Sequence, residues 1–276
     1  MEIGMHHTLN ILRETSVGLF LGNDEYEVLL PNKYCPDDYE IDDEMRVFVY
    51  LDYAERIIAT TLEPKILLNE FALLQVSMVT EVGAFLDWGL EKNLLVPFRE
   101  QRERMVEGRW YIVRMMNDEK TDRLYATNKV DKHLQNEALT IKEGEKVQIL
   151  ILKKTDLGYS VIIDNLHLGL IYANEIFTEV RVGDKLKGYV KRIREDNKVD
   201  ISLQPIGYDN FKDVNTKKIV IKLLDNGGFL KLNDKSSPEE IYTHFGISKK
   251  AFKKSIGGLY KERKIVFEDD GIKLID

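Results

Sequence analysis

Thr80-Glu-Val-Gly-Ala-Phe-Leu86 is the middle copy of a phrase that this chain writes three times. The first copy is Thr15-Ser-Val-Gly-Leu-Phe-Leu21 and the third is Thr155-Asp-Leu-Gly-Tyr-Ser-Val161. Each is followed by a second apolar segment: Val28-Leu-Leu-Pro31, Leu94-Leu-Val-Pro97 and Gly169-Leu-Ile-Tyr172. Each unit then closes on an alternating segment, Ile57–Thr61, Arg123–Thr127 and Lys198–Ser202. From the repeat glycine to the closing Thr or Ser the spacing is 43 to 44 residues in all three copies. A spacing held three times marks an internal repeat, so the first three quarters of the chain read as tandem units.

Inside a unit the pattern is strand and turn. Val147–Leu152 is apolar with sparse polar breaks, Gly158–Ile163 is a strand ending at the turn Asp164-Asn165, and Arg181–Val190 is a turn and a long strand. Glu195–Lys198 is a polar hairpin turn. About five short strands per unit, with a glycine at the second, predict a small closed barrel of the oligonucleotide-binding type. Beyond Gln204-Pro-Ile-Gly-Tyr-Asp209, which reads as a linker, the period changes from 2 to 3.6. Lys217–Leu224 predicts a helix and Gly228–Leu232 a brief strand. Ser237-Pro-Glu-Glu240 opens a second helix that Gly246 ends, and Ser248 opens a third over 249–262. Ile265-Val-Phe267 and Ile272–Ile275 pair across Glu268–Gly271 as a hairpin. Helix, strand, helix, helix, hairpin is the order of a winged helix.

Thr80–Leu86, Arg181-Val-Gly-Asp-Lys-Leu-Lys187 and Val199-Asp-Ile-Ser-Leu203 resemble the S1 RNA-binding domain. Asp234–Ile241, Ser248–Lys254, Ile256–Glu262 and Gly169–Ile176 resemble the conserved virulence factor B family, over nearly the whole chain and most weakly in the first unit. The resemblance implies RNA binding and post-transcriptional regulation in bacteria. The expected fold class is mainly β with a small α+β domain. It comprises three tandem five-stranded S1-like barrels, at 1–65 (divergent and acidic), 66–140 and 141–206, followed by a winged helix at 207–276.

The net charge of −7 sits in one place. Met1–Glu63 carries 4 basic and 14 acidic residues, a net of −10, whereas Ile141–Gln204 is at +1 and Pro205–Asp276 at +3. Screening acts within about 10 Å, so the surface of each domain decides what it attracts. One cysteine, Cys35, excludes a disulfide scaffold, and five histidines show no metal-ligand spacing. No cofactor or metal is expected. No Ser–His–acid set or phosphate loop can be read, so a binding protein is expected and not an enzyme. No long apolar run and no secretory signal can be read, which points to the cytoplasm and away from the membrane.

Single-stranded RNA is held by stacking on aromatic rings and by Lys or Arg on phosphates. The S1 resemblance places an exposed aromatic two residues after the strand glycine, where Phe20 and Phe85 stand and where the third unit has Ser160 beside Tyr159. It places a second ring at Tyr172, where the other units have Pro31 and Pro97. Phe98 and Trp88 replace that ring if they reach the same face, with a core position as the bland alternative. Arg99, Lys191, Arg192 and Arg194 are the candidate phosphate contacts, the last three near a strand end. Lys249, Lys250, Lys253 and Lys254 on the third C-terminal helix suit phosphates and carry little base information. The expected partner is single-stranded RNA, with duplex DNA or protein as alternatives at the winged helix. A DNA-binding transcription regulator is the competing function. Gly257-Gly258 inside that helix reads as a site of close packing.

Overall fold

A computed structural model describes residues 1–23, 25–176, 179–204 and 213–275. The linker read at Gln204–Asp209 lies outside the described residues except for Gln204. Contacts group the chain into two compact units, Met1–Leu139 with Ile149–Gly169 and Thr178–Leu186, and Thr140–Gln148 with Leu170–Phe177 and Lys187–Asp276. The third barrel is divided between them.

The first barrel is built from β1 (His6–Thr15), β2 (Gly18–Gly22), β3 (Glu27–Pro31), β4 (Glu44–Leu51) and β5 (Ile57–Thr60). It closes in the order β1-β2-β3-β5-β4, with β3 and β5 parallel through Leu29 and Ile58. The second has β6 (Phe71–Val79), β7 (Gly83–Asp87), β8 (Leu94–Pro97), β9 (Trp110–Asn117) and β10 (Leu124–Thr127) in the same cyclic order, with β8 and β10 side by side at the seam. The third closes from β11 (Lys146–Thr155), β12 (Gly158–Ile163), β13 (His167–Tyr172), β14 (Lys185–Ile193) and β15 (Val199–Ser202).

The repeated Thr-x-x-Gly is the corner of each barrel. The threonine hydroxyl donates to the glycine carbonyl at 2.7 Å in the first copy, 3.4 Å in the second and 3.2 Å in the third. Gly18, Gly83 and Gly158 have φ of +147°, +154° and +149°, a conformation that L side chains rarely adopt. A Cβ on Gly83 would stand 2.3 Å from the Val96 carbonyl oxygen, and one on Gly18 2.0 Å from that of Leu30. The corner strand is therefore pressed against its neighbour's backbone. A bulge falls three residues before each threonine, with the register slipping between Ile11 and Arg13, Val76 and Met78, and Ile151 and Lys153. Bulges add twist, which lets one long strand serve both walls of a small barrel. The first barrel closes on Thr60, not Thr61. The side-chain oxygens of Thr60, Thr127 and Ser202 each accept the N–H two residues on, from Leu62, Lys129 and Gln204.

Strand β4 is apolar on both faces. Val47 and Val49 fill the first barrel with Ile11, Leu19, Leu21 and Leu30. Phe48 and Tyr50, which alternate with them, join Ile58, Trp88, Leu86 and Met115 in a cluster shared with the second barrel. A smaller cluster of Phe71, Ile112 and Val130 with Leu150 and Ile162 continues the packing to β11 and β12.

The C-terminal domain consists of α1 (Val214–Asp225), β16 (Phe229–Leu230), α2 (Pro238–Phe245), α3 (Lys249–Lys261), β17 (Ile265–Glu268) and β18 (Gly271–Leu274). The sheet order is β16-β18-β17, a winged helix. The starts of α2 and α3 are those expected, whereas α1 begins at Val214, ahead of the expected Lys217. Ser237 Oγ accepts from Glu240 N at 3.1 Å while Glu240 Oε2 accepts from Ser237 N at 2.9 Å, and Gly246 closes α2 at φ +64°. Asp213 caps α1 through Thr216 N and accepts Ser255 Oγ of α3 at 3.0 Å. Phe252, Ile256 and Leu259 turn α3 into the core.

Gly257 and Gly258 correct the sequence reading: among the described residues, no atom beyond their chain neighbours and the helix's own backbone lies within 4 Å of a Cβ built on either. Gly257 is half-buried and Gly258 exposed, and each has room for a methyl group. Glycine in a helix costs about 1 kcal/mol against alanine. Gly257→Ala and Gly258→Ala are each expected to raise stability by about 0.5–1 kcal/mol in thermal or urea unfolding. Destabilisation by either would show a packing role after all.

Candidate nucleic-acid interface

Strand alternation sorts the second barrel's residues into an inner and an outer set. On β7 and β8, Ala84, Leu86, Leu94 and Val96 point inward and are buried, while Phe85, Leu95 and Pro97 are half-buried on the outside. Phe85 pairs with Leu95, and Gly83 with Pro97, so the three outer side chains lie on one patch. That patch is one side of a cleft of about 690 Å³. Met78, Tyr125, Arg99 and Arg123 complete it on the second barrel, and Tyr50, Tyr53 and Glu55 belong to the first. The Arg99 side chain is 74% exposed at the rim. Arg123 pairs with Glu55. Burial lowers the Lys92 ammonium below its ordinary value and raises the Tyr125 hydroxyl above its own.

Two of the rings that the sequence offered for stacking take other places. Trp88 is 2% exposed, its ring edge-on to Phe48 and Tyr50 at 5.7 and 6.2 Å, and its indole N–H donates to the Lys92 carbonyl. It belongs to the core and forms the cleft floor; it is not a stacking ring. Phe98 follows β8 in a 3-10 turn, Phe98–Glu100, outside the cleft, with the Arg104 guanidinium 3.7 Å from its ring centroid. In the first barrel the counterpart of Phe85 is covered by an arginine: Arg13 stands 3.8 Å over Phe20 and pairs with Glu27 at 2.8 Å. Among the aromatics proposed from sequence, Phe85 is the one that reaches the cleft with its face half open. Tyr53, Tyr125 and Arg123 were missed. Tyr125 alternates outward on a strand already recognised, so its period gave it away; Tyr53 sits in a turn, where no period applies.

In the third barrel Ser160 is buried where the others carry Phe. Tyr172 is half-buried at the end of β13, and its hydroxyl accepts a hydrogen bond from Arg194. Arg194 also grips Asp200 with two bonds, Nε to Oδ2 at 3.1 Å and Nη2 to Oδ1 at 2.7 Å. Asp200, then Tyr172, holds the guanidinium charged. Lys191 pairs with Glu175 at 2.6 Å, and Arg192 is exposed. A register slip between Val190 and Arg192 is what turns two consecutive residues outward there. Tyr172 and Arg194 thus form one fixed unit, and Lys191 must leave a carboxylate to meet a phosphate.

On α3, Lys250, Lys253 and Lys254 are exposed opposite the buried stripe. Lys253 lies 3.7 Å from Asp234, and Lys249 is half-buried with its ammonium donating to the Lys235 carbonyl at 3.3 Å. Among the described residues no group of three or more His, Cys, Asp or Glu could hold a metal ion. Among them, too, no helix is long and apolar enough to cross a membrane.

Three barrels of oligonucleotide-binding topology with a winged helix define a multidomain protein of nucleic-acid-binding type. Family models agree on each part that they match: S1 domain over residues 3–62, virulence regulatory factor CvfB second domain over 130–205, and CvfB-like winged helix domain over 217–274. The S1 match falls on the first barrel, where the sequence resemblance was weakest. The chain is 29% identical over 278 residues to the uncharacterized protein YitL of Bacillus subtilis (strain 168), covering 98% of this chain and 93% of that one. It is 25% identical over 255 residues to conserved virulence factor B of Staphylococcus aureus (strain USA300), covering 86% and 81%. A crystal structure of a multidomain protein with nucleic acid binding domains from Streptococcus pneumoniae TIGR4 aligns with 28% identity and a TM-score of 0.41, over 99% of this chain and 98% of that one. The chain belongs to the conserved virulence factor B family.

Proposed function

We propose that this protein binds single-stranded RNA on the outer face of its second barrel and acts on gene expression after transcription, in the cytoplasm, as a binding protein and not as an enzyme. The observation that carries the reading is the Phe85 patch. It is a half-open ring flanked by Leu95, Pro97 and Tyr125, with the unburied guanidinium of Arg99 at the rim. An unpaired base offers a π-face to such a patch, and the adjoining phosphate meets the arginine; a duplex keeps its base faces stacked and offers phosphates and groove edges. Tyr172 with Arg194 and Arg192 is the corresponding surface of the third barrel. The lysines of α3 add phosphate contacts that do not read sequence.

The test is fluorescence anisotropy of the full chain with a labelled uridine-rich RNA, competed by unlabelled RNA or duplex DNA. Phe85→Ala is expected to weaken RNA binding roughly tenfold, the loss of one stacked base at about 1–3 kcal/mol. Duplex DNA that displaces the RNA at lower concentration than RNA itself, with Phe85→Ala unaffected, would instead support a DNA-binding regulator acting through the winged helix.

A further inference from the structure

We infer that the acidic first barrel completes the RNA site of the second: its β4–β5 turn is the far wall of a slot that receives one unstacked nucleobase. The inference rests on the reading of the Phe85 patch as the RNA face and names what that face encloses.

The turn is stiff and is fastened in place. Asp52 Oδ1 accepts from the N–H groups of Ala54 and Arg56 at 2.8 and 2.9 Å, and Oδ2 accepts Arg56 Nε and Nη2 at 2.9 and 2.7 Å. Lys92 of the second barrel donates its ammonium to the carbonyls of Leu51 and Asp52, at 2.9 and 2.7 Å. The Tyr53 hydroxyl donates to the Glu91 carbonyl at 2.8 Å, and Glu55 pairs with Arg123. Beneath these contacts Phe48 and Tyr50 are packed on Trp88. Wall and face are thereby held at a fixed separation without a ligand.

What the wall offers is a ring. Tyr53 is 75% exposed, although its hydroxyl already has a partner, so its open part is the apolar one. It lines the same cleft as Phe85, Leu95 and Tyr125. The cleft's 690 Å³ falls in the range of ligand-sized pockets, roughly 300–1,000 Å³. Aromatic side chains from both barrels in one cleft of ligand size, with exposed arginines among its lining, suit a flat apolar ring attached to a phosphate. A paired base has no free face to insert, so the slot selects single strands. The first barrel contributes this wall despite its charge of −10, because stacking needs no positive field.

The experiment compares the wild-type full chain with Tyr53→Ala, Tyr53→Phe and Phe85→Ala, using a short labelled single-stranded RNA at several salt concentrations. Melting temperature is read on the same samples. Tyr53→Ala is expected to lose roughly tenfold in affinity with an unchanged salt slope, since no phosphate contact is removed. Tyr53→Phe is expected to keep most of the affinity, because the ring survives. Wild-type binding by Tyr53→Ala alongside weakened Phe85→Ala would overturn the slot and leave the RNA face on the second barrel alone. An equal loss in Tyr53→Phe would overturn stacking by Tyr53 and assign the effect to the Glu91 bond. Indifference to both Tyr53→Ala and Phe85→Ala would remove the RNA face itself, and the slot with it.

Discussion

Replacing Lys253 and Lys254 together by glutamate is expected to lower the affinity of the full chain for RNA about twentyfold at physiological salt and to flatten its salt dependence. Both side chains are exposed on the face of α3 opposite Phe252, Ile256 and Leu259. The nearest acid, Asp234, stands 3.7 Å from Lys253 with both partners half exposed, a pairing too weak to keep the lysine from a phosphate. Each phosphate contact contributes roughly 0.7–0.9 to the slope of log affinity against log salt, which at about 0.15 M amounts to about fourfold to fivefold in affinity. Two contacts therefore give about twentyfold and a slope reduced by about 1.4–1.8. The measurement is anisotropy across a salt series, with melting temperature as the check on folding. An unchanged slope would mean that these lysines face water or protein.

Gly83→Ala is expected to be the most damaging single-atom change in the second barrel. The added methyl would sit 2.3 Å from the Val96 carbonyl oxygen and 3.0 Å from Pro97 Cα, at a φ of +154°. Neither neighbour is a flexible side chain; both are backbone of β8, so the strand must move. The cost should be about 2–4 kcal/mol, in the upper range for single substitutions. For a chain of this size that is a fall of about 5–15 °C in melting temperature. Gly108→Ala separates the two causes, because Gly108 has φ +77° and nothing within 4 Å. It should meet only the left-handed backbone cost, about 1–2 kcal/mol. Equal falls for the two variants would show that the close approach to β8 is not what excludes a side chain from the corner.

The parts legible from sequence were those that local chemistry dictates. Thr-x-x-Gly marks a corner because one hydroxyl and one missing Cβ are needed there. Ser237 with Glu240, Ser248 and Gly246 mark helix ends because unpaired backbone groups need partners within a turn. Legibility ended where tertiary packing decides. Trp88 falls on the inward parity of Ala84 and Leu86, but what covers it, Phe48 and Tyr50, lies some forty residues earlier in the chain, where no local pattern reaches. A signal did exist at the other end of that contact. Val47-Phe-Val-Tyr-Leu51 is apolar on both faces, which a half-solvated strand would not be, and so announces that something covers its outside. The bulges left no trace, because none of Leu12, Ser77 and Leu152 is a glycine or another residue that marks a bulge. The slack role of Gly257-Gly258 was invisible for a different reason: glycine reports only that a side chain is absent, not what fills the space.

The cluster shared across the first two barrels changes what counts as a separable piece. A first barrel cut loose after Glu63 would keep its interior of Val47, Val49, Leu19 and Leu30, yet leave Phe48, Tyr50 and Ile58 bare to solvent. A second barrel alone would bare Trp88 and lose the carbonyls that hold Lys92. Each fragment would be sticky in a way that neither is inside the whole, since contiguous exposed apolar surface drives association. Cooperativity follows from the same burial: opening one barrel strips cover from the other, so the two unfold as one transition. What began as a row of similar beads is, at its first two positions, a single bead with two barrels in it.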